Sequence, residues 1–343
     1  MRFRGSFSQR GVDRLVARRG PHPIDCYVMS QGQERLGLLF AALCALNGAF
    51  VPAFAKLTTD RGDPFFVAAA TTLFAGVFAA VVLGLRGDLP FLVRRDTGPL
   101  LFVVGTLGTA CAFLLFFYGA RRTTAIETVL CLQTEPAYSL LLSWIFLGHR
   151  PTLRRVMAIG VLLLGITLAV GGRGVSPSGG VWALLVTPLC WQVSHLIVLR
   201  RLKGISPHVL TGARYVDGGL LLAVLWVANG GIAALPAPAA LAPLLPLLAL
   251  QGIILSYVGT LLWYQAITRL DLARSTAIVV PSIPLLSLGA SFLLLGEVPT
   301  GYQWAGLLLT AAGVSAFVMA PHAQGRPAAA AVPSAEKQLR PAL

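Results

Sequence analysis

The sequence predicts an all-α integral membrane protein: ten transmembrane helices arranged as two inverted five-helix repeats. Three observations predict it, namely an apolar composition, ten runs of membrane-spanning length, and self-similarity between the halves. Of 343 residues, 56% are hydrophobic and 12% charged, and the mean hydropathy is +0.77. A soluble chain carries about a quarter charged residues. The formal net charge of +14 alone would suit a nucleic-acid partner. Phosphate binding, however, needs basic side chains gathered on one solvated face. Here they sit in short gaps between apolar runs, so the implied partner is the lipid bilayer and not nucleic acid.

Residues 1–35 are polar, hold seven Arg and contain no apolar run long enough for a signal-peptide core. They predict a disordered basic tail, and either Met1 or Met29 serves as the start. Crossing a hydrocarbon core takes roughly 20 apolar residues. By that measure the first repeat, residues 36–171, spans at 36–57, 64–85, 99–120, 122–147 and 153–171. The second, residues 179–320, spans at 179–199, 206–228, 242–266, 272–296 and 302–320. Residues 321–343, rich in Ala and Pro, predict a second disordered tail.

The gaps justify this division in order. Lys56 closes the first span and Arg61 follows it, and Arg86, Arg94 and Arg95 follow the second. Arg121 and Arg122 follow the third, and Arg150, Arg154 and Arg155 the fourth. Arg173 follows the fifth, Arg200, Arg201 and Lys203 the sixth, and Arg269 and Arg274 the eighth. Cytoplasmic loops collect Lys and Arg. With both termini inside a cell membrane, 21 basic residues fall on the cytoplasmic side and 5 outside. A miscount by one helix would scramble that alternation.

Pro136–Val170 aligns without gaps on Pro284–Val318 at an offset of 148, with ten of 35 positions identical. The identities include Gly148/Gly296, Pro151/Pro299, Thr152/Thr300 and Gly165/Gly313. Pro64 and Pro207 each open the second span of a half, and Tyr118 and Tyr264 each close the third. Five spans is an odd number, so the second copy enters the membrane inverted. Secondary transporters recurrently use that build, with the substrate near the midplane between halves. A duplicated bundle without transport is the plainer alternative.

On these residues the chain resembles the EamA-type branch of the drug/metabolite transporter superfamily. The signature is a Pro-centred small-residue helix running to Leu295-Gly296-Glu297 and Pro299-Thr300, then a helix carrying Gly306 and Gly313. Pro136, Leu147-Gly148, Pro151-Thr152 and Gly165 repeat it in the first half, and Phe50 and Lys56 match the opening helix. His149 stands where the glutamate belongs, Ala158 replaces a Gly, Leu46-Asn47 replaces Trp-Gly, and Thr71 occupies the place of an Arg kept as Arg214. The resemblance implies an exporter of small metabolites, amino acids or drugs. It places helices 1, 3, 4, 6, 8 and 9 around a cavity and implies no ATP site. No GxxxxGK[ST] loop is present, and Cys26, Cys44, Cys111, Cys131 and Cys190 show no metal-ligand spacing. No cofactor or metal is expected.

Ionisable residues within spans are costly and point to function. Glu127 and Glu135 in helix 4 lie eight residues apart, on one loose stripe with Cys131 between them. A carboxylate there suits proton coupling or recognition of a cationic substrate group; an interhelical hydrogen bond is the structural alternative. Arg214 and Asp217 in helix 7, at i and i+3, suggest an internally neutralised pair or an anion site. Gln192 and His195 share a face of helix 6. Asn47, Gln251, Trp263 and above all mid-helix Tyr257 are further candidates to line the cavity. The reading is a secondary transporter working by alternating access on a small-molecule substrate. Rival classes are a channel or lipid scramblase, or an intramembrane enzyme, for which DxxxD and HxxxxD spacings in the loops are missing. Substrate identity, direction, coupling ion and oligomeric state are not legible.

Overall fold

The computed structural model describes residues 31–148, 150–172, 178–202, 204–267, 269–270 and 272–320. The two tails up to Met29–Ser30 and from Pro321, the alternative start at Met29, and His149 lie outside the described residues. Ten helices within them are long and apolar enough to cross a membrane. They are α1 (Gln31–Thr59), α2 (Pro64–Arg86), α3 (Gly98–Arg122), α4 (Ala125–Phe146), α5 (Leu153–Gly171), α6 (Gly179–Arg201), α7 (Pro207–Ala228), α8 (Pro238–Ala266), α9 (Leu272–Leu295) and α10 (Gly301–Met319). Helix α1 starts five residues before the expected span, at Gln31, and α8 starts four before, because Pro238 sits in its first turn.

The repeated turn has a physical reading. Gly148 ends α4 at φ 69° and Gly296 follows α9 at φ 66°, a left-handed conformation that disfavours any side chain. Four residues on, Thr152 and Thr300 accept backbone N–H groups from Arg155 and Gln303 and so cap α5 and α10. The Gly-x-x-Pro-Thr pattern is thus one helix stop joined to one helix start.

Packing follows the inverted repeat. Helix α2 crosses its counterpart α7, and α5 crosses α10; the pairing of α1 with α9 is mirrored by α6 with α4, and α3 with α6 by α8 with α1. At the α2–α7 crossing, a Cβ on Gly76 would stand 2.5 Å from the Tyr215 carbonyl oxygen, and one on Gly219 would stand 2.6 Å from that of Thr72. Gly76/Gly219 and Thr72/Tyr215 share the spacing of Pro64 and Pro207. At the α5–α10 crossing, a Cβ on Gly165 would stand 2.6 Å from Thr310 N and one on Gly313 2.5 Å from Leu162 N, again repeat equivalents. Backbones that close suit a bilayer, where helices associate by packing rather than by escape from water.

Two features escaped the sequence. Helices α3 and α8 each contain a π-helical stretch, Thr106–Cys111 and Gln251–Val258, at corresponding places in the halves. Such widened turns free main-chain carbonyls and recur at functional sites.

Candidate functional site

Helix α4 is two helices in sequence, Ala125–Leu132 and Glu135–Leu147. Gln133 and Thr134 hold ψ near 0° between them, the Thr134 hydroxyl donates to the Cys131 carbonyl, and Pro136 supplies no backbone donor. Glu135 therefore opens the second segment midway along the Ala125–Phe146 span. Its Oε1 accepts from Gln192 Nε2 on α6 at 2.6 Å. One turn along α6, His195 lies, like Glu135, within electrostatic reach of Arg214 on α7. Arg214 is buried, its Nη2 donating to the Gly108 carbonyl at 2.7 Å. It thereby satisfies a main-chain oxygen in the π-helical stretch of α3. Tyr264 of α8 flanks the same guanidinium. The structure thus gathers Glu135, Gln192, His195 and Arg214 from three helices.

Three buried atoms here, Trp191 Nε1, Arg214 Nε and Asp217 Oδ2, have no hydrogen-bond partner within the protein. Two of them are donors and one is an acceptor. Among the described residues no group of His, Cys, Asp and Glu is arranged to hold a metal ion.

One expectation is corrected. Arg214 and Asp217 form no ion pair, because the guanidinium is turned to Gly108 on α3. Glu127 and Glu135 sit on separate helical segments, divided by the break at Gln133–Thr134. Glu127 instead completes a capping box at the start of α4, its Oε2 accepting from Thr124 N at 3.1 Å. Tyr257 is 1% exposed and sits in the core, its ring against Phe78 and Tyr215. Asn47 Nδ2 donates to Ile254 O at 2.9 Å, satisfying a carbonyl of the second π-helical stretch. Gln251 accepts from the Thr58 hydroxyl in the same seam. These three lie on or against α8, whose Ser256 carbonyl and Thr260 hydroxyl bond to Tyr215, the neighbour of Arg214.

The small residues Gly105 and Gly108, set among threonines of α3, suit close helix contacts, and Gly108 lets Ser194 and Arg214 approach. Sequence reasoning missed the task of Glu297, although the family motif ends on it. That carboxylate accepts from Ala125 N and Ile126 N at the start of α4.

A model of the EamA-like transporter family matches residues 35–171 and again 178–319. The chain is 29% identical over 243 residues to a probable terminal-alkyne amino-acid exporter of Streptantibioticus cattleyicolor, covering 69% of this chain and 79% of that one. It is 24% identical over 271 residues to the uncharacterized transporter YyaM of Bacillus subtilis, covering 76% and 86%. A crystal structure of 19% identity superimposes with a TM-score of 0.60 over 83% of this chain and 97% of that one. At that identity it bears on the fold alone.

Proposed function

The chain belongs to the EamA-like transporter family, a multi-pass membrane transporter of small metabolites, and on that premise we propose that it exports amino-acid-like metabolites by alternating access. The observation that carries this reading is the Glu135–Gln192 hydrogen bond at the break in α4, within reach of Arg214. A carboxylate and a guanidinium in one midplane region provide for both ends of an α-amino acid. The exporter of S. cattleyicolor, whose name specifies an amino acid, supports the substrate class and the direction.

Glu135 is the proposed protonation switch. Its carboxylate accepts from Gln192 in the resting arrangement; a substrate ammonium or a proton would compete for the same oxygens. Only a difference in proton or substrate affinity between the two cavity orientations can drive such a cycle. The break at Gln133–Thr134 lets Glu135 move with the second half of α4 while Glu297 holds the first. The charge distribution supports a cell-membrane location with both termini cytoplasmic. No catalytic role is proposed.

The test compares the medium around cells making wild type and Glu135→Gln at matched membrane levels. One class of amino-acid-like metabolite accumulating outside only with wild type is expected. Indistinguishable media, or flux that does not saturate, would turn the reading towards a channel or scramblase.

A further inference from the structure

On the face carrying the α1–α2 and α3–α4 connections, a cleft of about 660 Å³ lies between α2, α3 and α6. Its walls are apolar, with Leu114, Leu115, Trp182 and Val186 among them, and Trp182 is 59% exposed. Space is left at its upper end by Gly179, since the nearest atom to a Cβ there would be Tyr118 Oη at 3.7 Å. Ten helices of spanning length surround themselves with lipid, so a cleft opening between α3 and α6 is presented to acyl chains.

A second, polar recess of about 390 Å³ adjoins it and shares Asp63, Pro64 and Arg122 with it. This recess is lined by Arg61, Arg121 and Arg122 and by Asp60 and Asp63. Both carboxylates are already engaged. Asp60 pairs with Lys56 at 2.9 Å and Arg121 at 3.3 Å, and Asp63 accepts from Phe65 N and Phe66 N as the cap of α2. Arg61 and Arg122 are left without a carboxylate partner among the described residues. Arg122 lies 3.6 Å over the Tyr118 ring and donates one N–H to the Tyr118 carbonyl, which fixes the guanidinium at the mouth of the cleft.

A volume typical of ligand sites, an apolar wall turned to the bilayer and two unneutralised guanidiniums at its rim together describe an amphiphile with an anionic head. We propose that this cleft binds one anionic glycerophospholipid, acyl chain along α3 and α6 and phosphate at Arg61 and Arg122. A soluble anion would need only the recess; the apolar cleft selects the lipid. Because neither Glu135, Gln192 nor Arg214 lines the cleft, it bears on the lipid dependence of the transporter rather than on its substrate.

The experiment uses the full chain in phosphatidylcholine nanodiscs, titrated with brominated phosphatidylglycerol or brominated phosphatidylcholine, and reads tryptophan quenching at Trp182 against a Trp182→Phe control. Saturable quenching by phosphatidylglycerol that the control lacks is expected. Removing each guanidinium, in Arg61→Gln and Arg122→Gln, should weaken it about fivefold. Gly179→Leu should abolish the saturable component while leaving the thermal midpoint in phosphatidylcholine unchanged. Equal quenching by the two lipids, a preference that survives the double Gln variant, or full competition by inorganic phosphate at concentrations equal to the lipid would overturn the proposal.

Discussion

The carboxylate of Glu297 receives the backbone N–H of Ala125 at 3.0 and 3.1 Å, joining the α9–α10 connection to the first turn of α4. Ile126 N donates to the same group at 3.4 Å. One half of the inverted repeat thus supplies the cap for a helix of the other. Anionic acceptors at a helix N-terminus satisfy orphan donors and complement the helix dipole. Glu127 and Thr124 close the remaining donors of that turn, so the short segment Ala125–Leu132 is held at its free end.

Glu297→Ala should therefore cost about 1 kcal/mol, the ordinary worth of a cap, read as a lowered unfolding midpoint in detergent. Glu297→Gln keeps an acceptor and should lose less. A Glu297→Ala midpoint equal to wild type would mean that the cap is redundant with the Thr124–Glu127 box.

The glycine crossings make a contrast within the molecule. Gly76→Ala drives a methyl into the Tyr215 carbonyl on α7, and overpacking of this kind costs about 1–3 kcal/mol. Gly160, in α5, faces open space, with no atom within 4 Å of where a Cβ would stand. There Ala should be neutral or stabilising by up to about 1 kcal/mol through helix propensity. Thermal midpoints of the two variants side by side check the assignment of α2–α7 as a backbone-to-backbone contact.

These contrasts bear on what the sequence made legible. Composition and charge alternation sufficed for the ten helices, because each needs only length and apolarity. The repeated Gly-x-x-Pro-Thr turn was legible because it is local: a left-handed residue and a capping threonine act within four positions of each other. The site was legible only in part. Glu135 and Gln192 announced themselves as polar groups in spans, but their bond joins residues 57 apart on two helices. Spacing along one helix misassigned Arg214 to Asp217, since the competing acceptor, the Gly108 carbonyl, is freed by a π-helical stretch that no side-chain pattern encodes. The neighbours of Tyr257, Phe78 and Tyr215 on two other helices, were likewise not legible from its position along one helix.

Arg214 offers a direct check on that misassignment. Arg214→Leu leaves the Gly108 oxygen of α3 without its donor, and an unsatisfied buried group costs about 1–3 kcal/mol. Arg214→Lys retains a donor and the charge but not the fork, and should keep more stability than the Leu variant. Both midpoints and the saturable flux should be read together. Stability restored by Lys with flux still lost would assign Arg214 to the substrate as well as to the helix.

The bond between Glu135 and Gln192 calls for a double-mutant cycle rather than a single substitution. If Gln192 only supports folding, Gln192→Leu should lower the midpoint and leave the pH dependence of flux unchanged. If it orients the carboxylate for proton exchange, Gln192→Leu should shift that pH profile, and no pH dependence should remain once Glu135→Gln is present. The two variants should then be strongly non-additive, as expected of residues in direct contact. Additive losses of flux with an unshifted profile would separate the pair, leaving Glu135 as a binding group for the substrate and removing it from the proton cycle. The 2.6 Å contact favours coupling, because a donor that close to Oε1 cannot be lost without changing the balance between the charged and neutral carboxyl.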